Sequence, residues 1–207
     1  MYIDFKIKNI VLTDKIIIKH LSYQNASVTD LDLSIFSNVE RERFDSFISD
    51  RRRIEFYFTR LLWKQFGIDS EITYGPEGNP LITEGFIGIS HSKNNVVIAH
   101  SPYERPGIDI ENYSEKVIRV GPKFMSDNES ARFGMKEISV LTTIWSLKEA
   151  VYKMRCEDHL NFKENIEVLE IEKQSKFAIH LNGHTEIMNF HILPEKESVI
   201  TYCIHEN

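Results

Sequence analysis

The two halves of the 207-residue chain repeat one order of elements, and this repetition constrains the fold more than any other feature. Residues 59–72 and 146–168 each give a helical pattern with basic residues near a tryptophan, and each leads through a turn to paired strands. The paired strands close with VVIAHS at 96–101 and VITYCIHE at 199–206. The likeness is one of element order and not of sequence identity. A duplication of this kind brings the halves together across an approximate two-fold axis, with a ligand groove between them.

Composition narrows the class of protein. The chain is 42% hydrophobic and 27% charged, which is typical of a globular protein. Its two cysteines form no CxxC motif and no cluster with histidine, which argues against a disulfide scaffold and a structural zinc site. No apolar run approaches membrane-spanning length, and the N-terminus lacks the apolar core of a signal peptide. We therefore expect a cytoplasmic protein.

The net charge of −6 hides an uneven distribution. An acidic total argues against a protein that coats nucleic acid or an anionic membrane by bulk charge. The window from Arg41 to Lys64, however, holds seven basic and four acidic residues, so it carries +3 and leaves −9 for the rest. The positive charge is therefore concentrated in this one window.

The segment GIDIE at 107–111 is the first candidate for chemistry. In a strand, residues two apart point to the same side, so Asp109 and Glu111 project together. Adjacent carboxylates repel each other unless a cation or a proton lies between them, and Mg²⁺ is a hard cation that takes oxygen ligands. The alternative is a strand whose polar side merely faces water.

The segment WSLKEAVYK at 145–153 is the second candidate. On a helix Trp145, Glu149 and Lys153 form one stripe, while Lys148 and Tyr152 form the next. Glu149 could return to the strand as a third carboxylate and complete an oxygen-rich Mg²⁺ site. The alternative is a surface helix with a favourable Glu–Lys pair.

Two shorter motifs precede these. His91, within Ser90-His91-Ser92, can donate a hydrogen bond to a phosphate or can be a structural histidine. The turn Gly78-Asn79-Pro80 can lie against a planar base or can be a turn and nothing more.

Taken in order, these four motifs resemble the surfactin-synthetase-type 4′-phosphopantetheinyl transferase family. Its members carry a G-(K/R)-P turn, a strand ending in S-H-S, a G-(I/V)-D-(I/V)-E strand and a W-x-x-K-E-(S/A)-x-x-K helix. GISHS, PGIDIE and WSLKEAVYK fit the last three without substitution, and the resemblance runs from about Arg43 to about Val168.

The resemblance implies a fold and an activity. The fold is α+β, with two similar α/β subdomains related by a pseudo-two-fold axis. The N-terminal subdomain, residues 1–104, would hold the adenine and 3′-phosphate of coenzyme A. Residues 105–207 would hold the Mg²⁺ carboxylates, with the active site in the cleft between the two. The reaction is transfer of the 4′-phosphopantetheine arm from coenzyme A to a serine of an apo acyl or peptidyl carrier protein, releasing 3′,5′-ADP.

The resemblance also assigns residues. The implied Mg²⁺ ligands are Asp109, Glu111 and Glu149. The implied catalytic residues are Glu149, Lys153 and Asp109, with Glu149 acting as base directly or through a metal-bound water. The implied contacts to coenzyme A are Arg43, Arg52, Gly78, Asn79, Pro80, Ser90, His91, Lys148 and Lys153. Among these contacts, Lys153 and His91 are expected at phosphates, Ser90 and Pro80 near the adenine, and Arg52 at the 3′-phosphate.

The sequence departs from the family pattern at two places. Asn79 replaces the basic residue of the G-(K/R)-P turn, and residues 156–159 replace a Gly-x-Gly that often follows the helix. Two alternatives to a transferase stay open, a Mg²⁺-dependent phosphodiesterase and a non-catalytic module that binds coenzyme A or a carrier protein. We expect a monomer with no nucleic-acid or membrane partner.

Overall fold

Two antiparallel sheets, one from each half of the chain, form the framework of the molecule. The computed structural model describes residues 3–156, 160–172 and 174–204. The strands within this part of the chain are β1 Asp4–Leu12, β2 Ile17–Gln24, β3 Thr73–Tyr74, β4 Pro80–Leu81, β5 Phe86–Ser92, β6 Asn95–Ser101, β7 Gly107–Asn112, β8 Ile166–Glu170, β9 Gln174–Leu181, β10 His184–Pro194 and β11 Ser198–Cys203. The helices are α1 Asn38–Ser46, α2 Asp50–Lys64, α3 Lys116–Phe124, α4 Asp127–Phe133 and α5 Ile138–Arg155. The α+β class is confirmed.

The first sheet has the strand order β1-β2-β6-β5, and α2 packs on β2 and β6. Phe58 and Leu62, from an apolar stripe of α2, are fully buried against this sheet. Ser37 and Glu40 form a capping box that starts α1. Gly67 follows α2 with φ of +70°, a conformation that favours glycine at a helix end. Helix and sheet thus bury the apolar stripe between them.

The second sheet has the order β7-β11-β10-β9-β8, and α5 packs on β7 and β11. The sequence predicts one helical pattern from Ser126 to Met154, and this is wrong in one respect. Gly134, with φ of +74°, ends α4, and α5 begins only at Ile138. The sequence pattern did not predict α3.

The two sheets meet where β5 lies beside β7. A side chain at Gly88 would collide with Ile108 and with the backbone of Pro106, so glycine permits this close approach. Ser92 Oγ donates to Asn112 Oδ1 at 2.8 Å across the same boundary. A shared apolar cluster lies between the halves and contains Ile16, Ile18, Val97, Ala99, Ile108, Ile110, Ile200, Tyr202 and Ile204. The subdomain boundary between residues 104 and 105 and the two-fold relation stay predictions.

Gly107 sets the distance between β7 and α5, and its replacement tests that packing. A Cβ at this position would lie 2.3 Å from the Ala150 carbonyl oxygen and 2.6 Å from Cys203 Sγ. Gly107→Ala should therefore lower the free energy of unfolding by about 1–3 kcal/mol, measured by urea denaturation. Gly121→Ala is the matched control, because its Cβ would meet the flexible end of Met135. Equal stability of the Gly107→Ala variant and the wild type would contradict this account.

Candidate active site

Asp109 is the residue at which three elements of the site meet. It lies on β7 and is 2% exposed. Its Oδ1 accepts hydrogen bonds from Lys153 Nζ of α5 at 2.6 Å and from Ser90 Oγ of β5 at 2.7 Å. Its Oδ2 is buried and has no hydrogen-bond partner within the described part of the chain. A buried carboxylate oxygen without a partner is costly, and a bound cation would satisfy it.

Two further carboxylates lie near Asp109. Glu111, two residues along β7, accepts a hydrogen bond from Trp145 Nε1 at 3.1 Å. Burial raises the pKa of Glu111 to about 7, and the charges of Asp109 and Glu149 add to this rise. Burial also raises the pKa of Glu149, while the Lys153 ammonium opposes the rise. The acids therefore repel each other within one site, and Lys153 partly offsets the repulsion.

The chemistry of this donor set fits Mg²⁺. No three His, Cys, Asp or Glu side chains of the described ranges are grouped closely enough to hold a metal by themselves. Mg²⁺ commonly binds one or two carboxylates and takes waters and substrate phosphates for its other positions, so it does not need a complete protein cage. The unpartnered Oδ2 of Asp109 is an oxygen that such an ion could satisfy.

A cleft of about 340 Å³ adjoins this carboxylate site. Lys153 belongs to both, since it lines the cleft and bonds to Asp109. The cleft is lined from the first half by Glu77, Gly78, Asn79, Pro80, Ile87, Gly88 and Ile89, and from the second half by Arg105, Tyr152, Lys153 and Cys156. The structure therefore brings the predicted turn 78–80 and the predicted lysine of α5 into one cleft.

The turn in this cleft is held by its own backbone. Gly75 N donates to Asn79 O at 2.9 Å, and Gly78 N donates to Gly75 O at 3.0 Å. The Asn79 carboxamide lies directly over Gly75, where a Cβ would be 2.5 Å from Asn79 Oδ1. The peptide backbone of the turn consequently forms one wall of the cleft, and Asn79 supplies no positive charge there.

His91 follows Ser90 at the end of β5 and is tied to α2. Its Nε2 lies 2.8 Å from Thr59 Oγ1, and that hydroxyl donates its hydrogen to Glu55 O at 2.7 Å. His91 must then donate through Nε2, so the neutral ring presents Nδ1 as an acceptor. The pKa of His91 is lowered to about 4, chiefly by desolvation; the Glu55 carboxylate opposes this lowering and the Lys153 ammonium contributes to it. The ring of His91 is therefore held against α2 through Thr59.

The comparison with known proteins concerns the half of the chain that carries the carboxylates. Residues 105–203 match the family model of the 4′-phosphopantetheinyl transferase superfamily. The matched segment includes Asp109, Glu111, Glu149 and Lys153. The superfamily is broader than the surfactin-synthetase-type family, which stays a prediction. No curated protein shows a significant match to the chain.

The structure also shows where the first half of the chain places the residues that were expected to contact coenzyme A. Ser90 is 4% exposed, and its hydroxyl donates to Asp109 and accepts from Lys153, so it orients the carboxylate. Its place near the adenine stays a prediction. Arg43 is exposed, and its guanidinium lies 4.0 Å from the centre of the Tyr74 ring, close to the turn. Arg52 is exposed on α2, and its place at the 3′-phosphate stays a prediction. The arginines whose charges help to lower the pKa of His91 are Arg51 and Arg60.

Lys148, in the second half of the chain, does not reach the cleft. This corrects the expectation that it contacts coenzyme A. It is 0% exposed. Its Nζ donates to Glu129 Oε2 at 2.7 Å and to the carbonyls of Phe124 and Phe162 at 2.8 Å each. All three N–H donors are therefore used in the interior, where Lys148 fastens α5 to α4. Desolvation lowers the pKa of Lys148, and the Glu129 charge opposes this.

The sequence analysis did not assign a role to several residues that line the cleft. Arg105 belongs to none of the four motifs. Only its position two residues before the GIDIE strand could have indicated that it lies near the site. Cys156 lies on the cleft wall, whereas residues 157–159 of the predicted loop departure lie outside the described residues. Within the described ranges, no helix is long and apolar enough to cross a membrane.

Because the pKa of Glu111 is raised, the free energy of unfolding of the metal-free protein should depend on pH. Folding raises this pKa from 4.5 to about 7, so the folded state holds the proton more tightly and stability falls as pH rises from about 4.5 to 7. Glu111→Gln should raise the free energy of unfolding at pH 8 by about 1–2 kcal/mol after solvent screening. At pH 4 the gain should vanish. Thermal unfolding in chelator-treated buffer measures the stability of the variant at the two pH values, and Glu170→Gln, at an exposed acid, is the control. A gain in stability that does not depend on pH would contradict the raised pKa of Glu111.

Proposed function

We propose that this protein transfers the 4′-phosphopantetheine arm from coenzyme A to a serine of an apo acyl or peptidyl carrier protein, releasing 3′,5′-ADP. One observation carries the proposal. Lys153 lines a cleft formed by both halves of the chain and also donates a hydrogen bond to the buried carboxylate of Asp109, whose Oδ2 has no partner among the described residues. Both residues lie in the segment that matches the transferase superfamily. A phosphate-bearing nucleotide in the cleft would lie beside the groups able to neutralise its charge.

Asp109, Glu111 and Glu149 are the residues proposed to hold Mg²⁺. When bound, the ion would supply positive charge against the pyrophosphate of coenzyme A. This assignment is supported by the oxygen character of the three side chains and by their mutual repulsion, which a divalent cation relieves.

The chain's own residues account for the remaining steps. The serine oxygen of the carrier forms a bond to the β-phosphorus, and the bond from that phosphorus to the oxygen shared with 3′,5′-ADP breaks. We assign acceptance of the serine proton to an oxygen of the Glu149 carboxylate, because burial raises the pKa of this group and makes it a stronger base. The Lys153 ammonium stabilises the charge that develops on the departing phosphate, and Ser90 keeps Asp109 in place.

The test separates the transferase from its two alternatives. The protein is incubated with coenzyme A and Mg²⁺, with apo carrier, without carrier, or with a carrier whose acceptor serine is alanine. Release of 3′,5′-ADP is expected only with the intact apo carrier. Carrier-independent release would support the phosphodiesterase instead. Binding of coenzyme A with no release under any condition would support the non-catalytic module.

A further inference from the structure

The nucleotide cleft has an asymmetric distribution of charge. Its first-half wall is formed by residues 77–80 and 87–89, which include an acid, Glu77, and no cation. The cations among the described lining residues are Arg105 and Lys153, both from the second half. Lys153 already bonds to Asp109 at 2.6 Å and to Ser90 at 3.0 Å, so much of its charge is offset. A polyanionic nucleotide therefore meets one principal source of further positive charge, Arg105.

Arg105 is placed to bind an anion. It is half-buried in the connection between β6 and β7, and its Nη1 donates to Cys156 Sγ at 3.2 Å. A thiol is a weak acceptor. None of the ion pairs between described residues involves Arg105. Most of its N–H donors thus remain available to a ligand in the cleft.

The backbone that carries Arg105 is firmly fixed. Pro106 is buried, and Gly107 lies so close to Ala150 and Cys203 that no side chain fits between them. The guanidinium therefore projects from a rigid point, which reduces the entropy lost when it binds. A planar guanidinium forms two parallel hydrogen bonds to a phosphate, a geometry that lysine cannot reproduce.

We infer, on the basis of the proposed function, that Arg105 binds a phosphate group of the coenzyme A nucleotide and replaces the positive charge that is missing at Asn79. Asn79 of the turn and Arg105 line the same cavity, one from each half of the chain. A positive charge at Arg105 can therefore bind the same anion that a positive charge at position 79 would bind. Arg105 is thus a phosphate-binding residue of the cleft in this proposal.

The test measures binding of 3′,5′-ADP by titration calorimetry, without carrier protein or Mg²⁺, so it is independent of turnover. Arg105→Gln should weaken binding about tenfold, and Arg105→Lys should weaken it less. Asn79→Lys combined with Arg105→Gln should recover most of the affinity, because it returns a cation to the cleft. Arg119→Gln is the matched control, since this exposed arginine on α3 lies outside the cleft.

The outcomes separate this inference from the proposed function. If the wild type binds 3′,5′-ADP and modifies a carrier while folded Arg105→Gln and Arg105→Lys bind as tightly as wild type, Arg105 has no role and only this inference fails. Failure of Asn79→Lys to improve the Arg105→Gln variant would overturn the replacement of one charge by the other. If the wild type neither binds 3′,5′-ADP nor modifies any carrier, both proposals fail.

Discussion

Replacing Asp109 by asparagine should lower the rate of phosphopantetheine transfer about a thousandfold while leaving the fold intact. Asparagine has the size of aspartate but no negative charge, so Lys153 loses the carboxylate that holds it at 2.6 Å. The proposed metal site loses the only one of its three carboxylates that is almost fully buried. Stability should change little, because the Lys153 side chain is 31% exposed and can be solvated by water.

Steady-state transfer assays with circular dichroism and thermal unfolding check this prediction. The matched control is Glu170→Gln, which neutralises an exposed acid at the end of β8, outside the cleft. The control should retain wild-type activity. A folded Asp109→Asn variant with more than a tenth of wild-type activity would remove Asp109 from the catalytic site.

The second large effect concerns stability. Lys148→Met should lower the free energy of unfolding by about 3–5 kcal/mol, because it leaves the fully buried Glu129 charge without its cation. The carbonyls of Phe124 and Phe162 lose the same donor. Glu129 itself accepts hydrogen bonds from the backbone of Ser126 and Val168, so the unpaired charge cannot turn away into solvent without breaking them.

Urea denaturation of single and double variants measures this effect. Lys148→Met combined with Glu129→Gln should cost less than the sum of the two single replacements, since removing both charges leaves neither unpaired. Lys116→Met, at an exposed lysine of α3, is the control and should change stability by less than about 0.5 kcal/mol. Additive losses, or a loss below about 1 kcal/mol for Lys148→Met, would contradict the ion pair's role.

Local periodicity predicted the arrangement around β7. Alternation in the strand predicted that Asp109 and Glu111 project together, and helical spacing placed Trp145, Glu149 and Lys153 on one stripe. In the structure Trp145 bonds to Glu111 and Lys153 bonds to Asp109, so that stripe faces the strand. Both patterns depend only on the geometry of single elements, which a sequence reports directly.

Long-range contacts account for what the sequence did not reveal. Lys148 lies on a stripe beside the functional one, and only the packing of α4 against α5 shows that this stripe is interior. Ser90 is a short polar residue whose partner, Asp109, is 19 residues away on another sheet. Arg105 reaches the cleft because two sheets meet beside it. None of these relations leaves a periodic signal in the chain.

The most direct test of the central claim is the mass of a carrier protein. Apo acyl or peptidyl carrier protein is incubated with this protein, coenzyme A and Mg²⁺, and is then weighed intact and after proteolysis. The account predicts that the carrier gains the mass of one phosphopantetheine arm on its acceptor serine, and that the Asp109→Asn variant leaves it unmodified. Unmodified carriers of the fatty-acid, polyketide and peptide-synthetase types, after incubation with the folded wild-type protein, would contradict it.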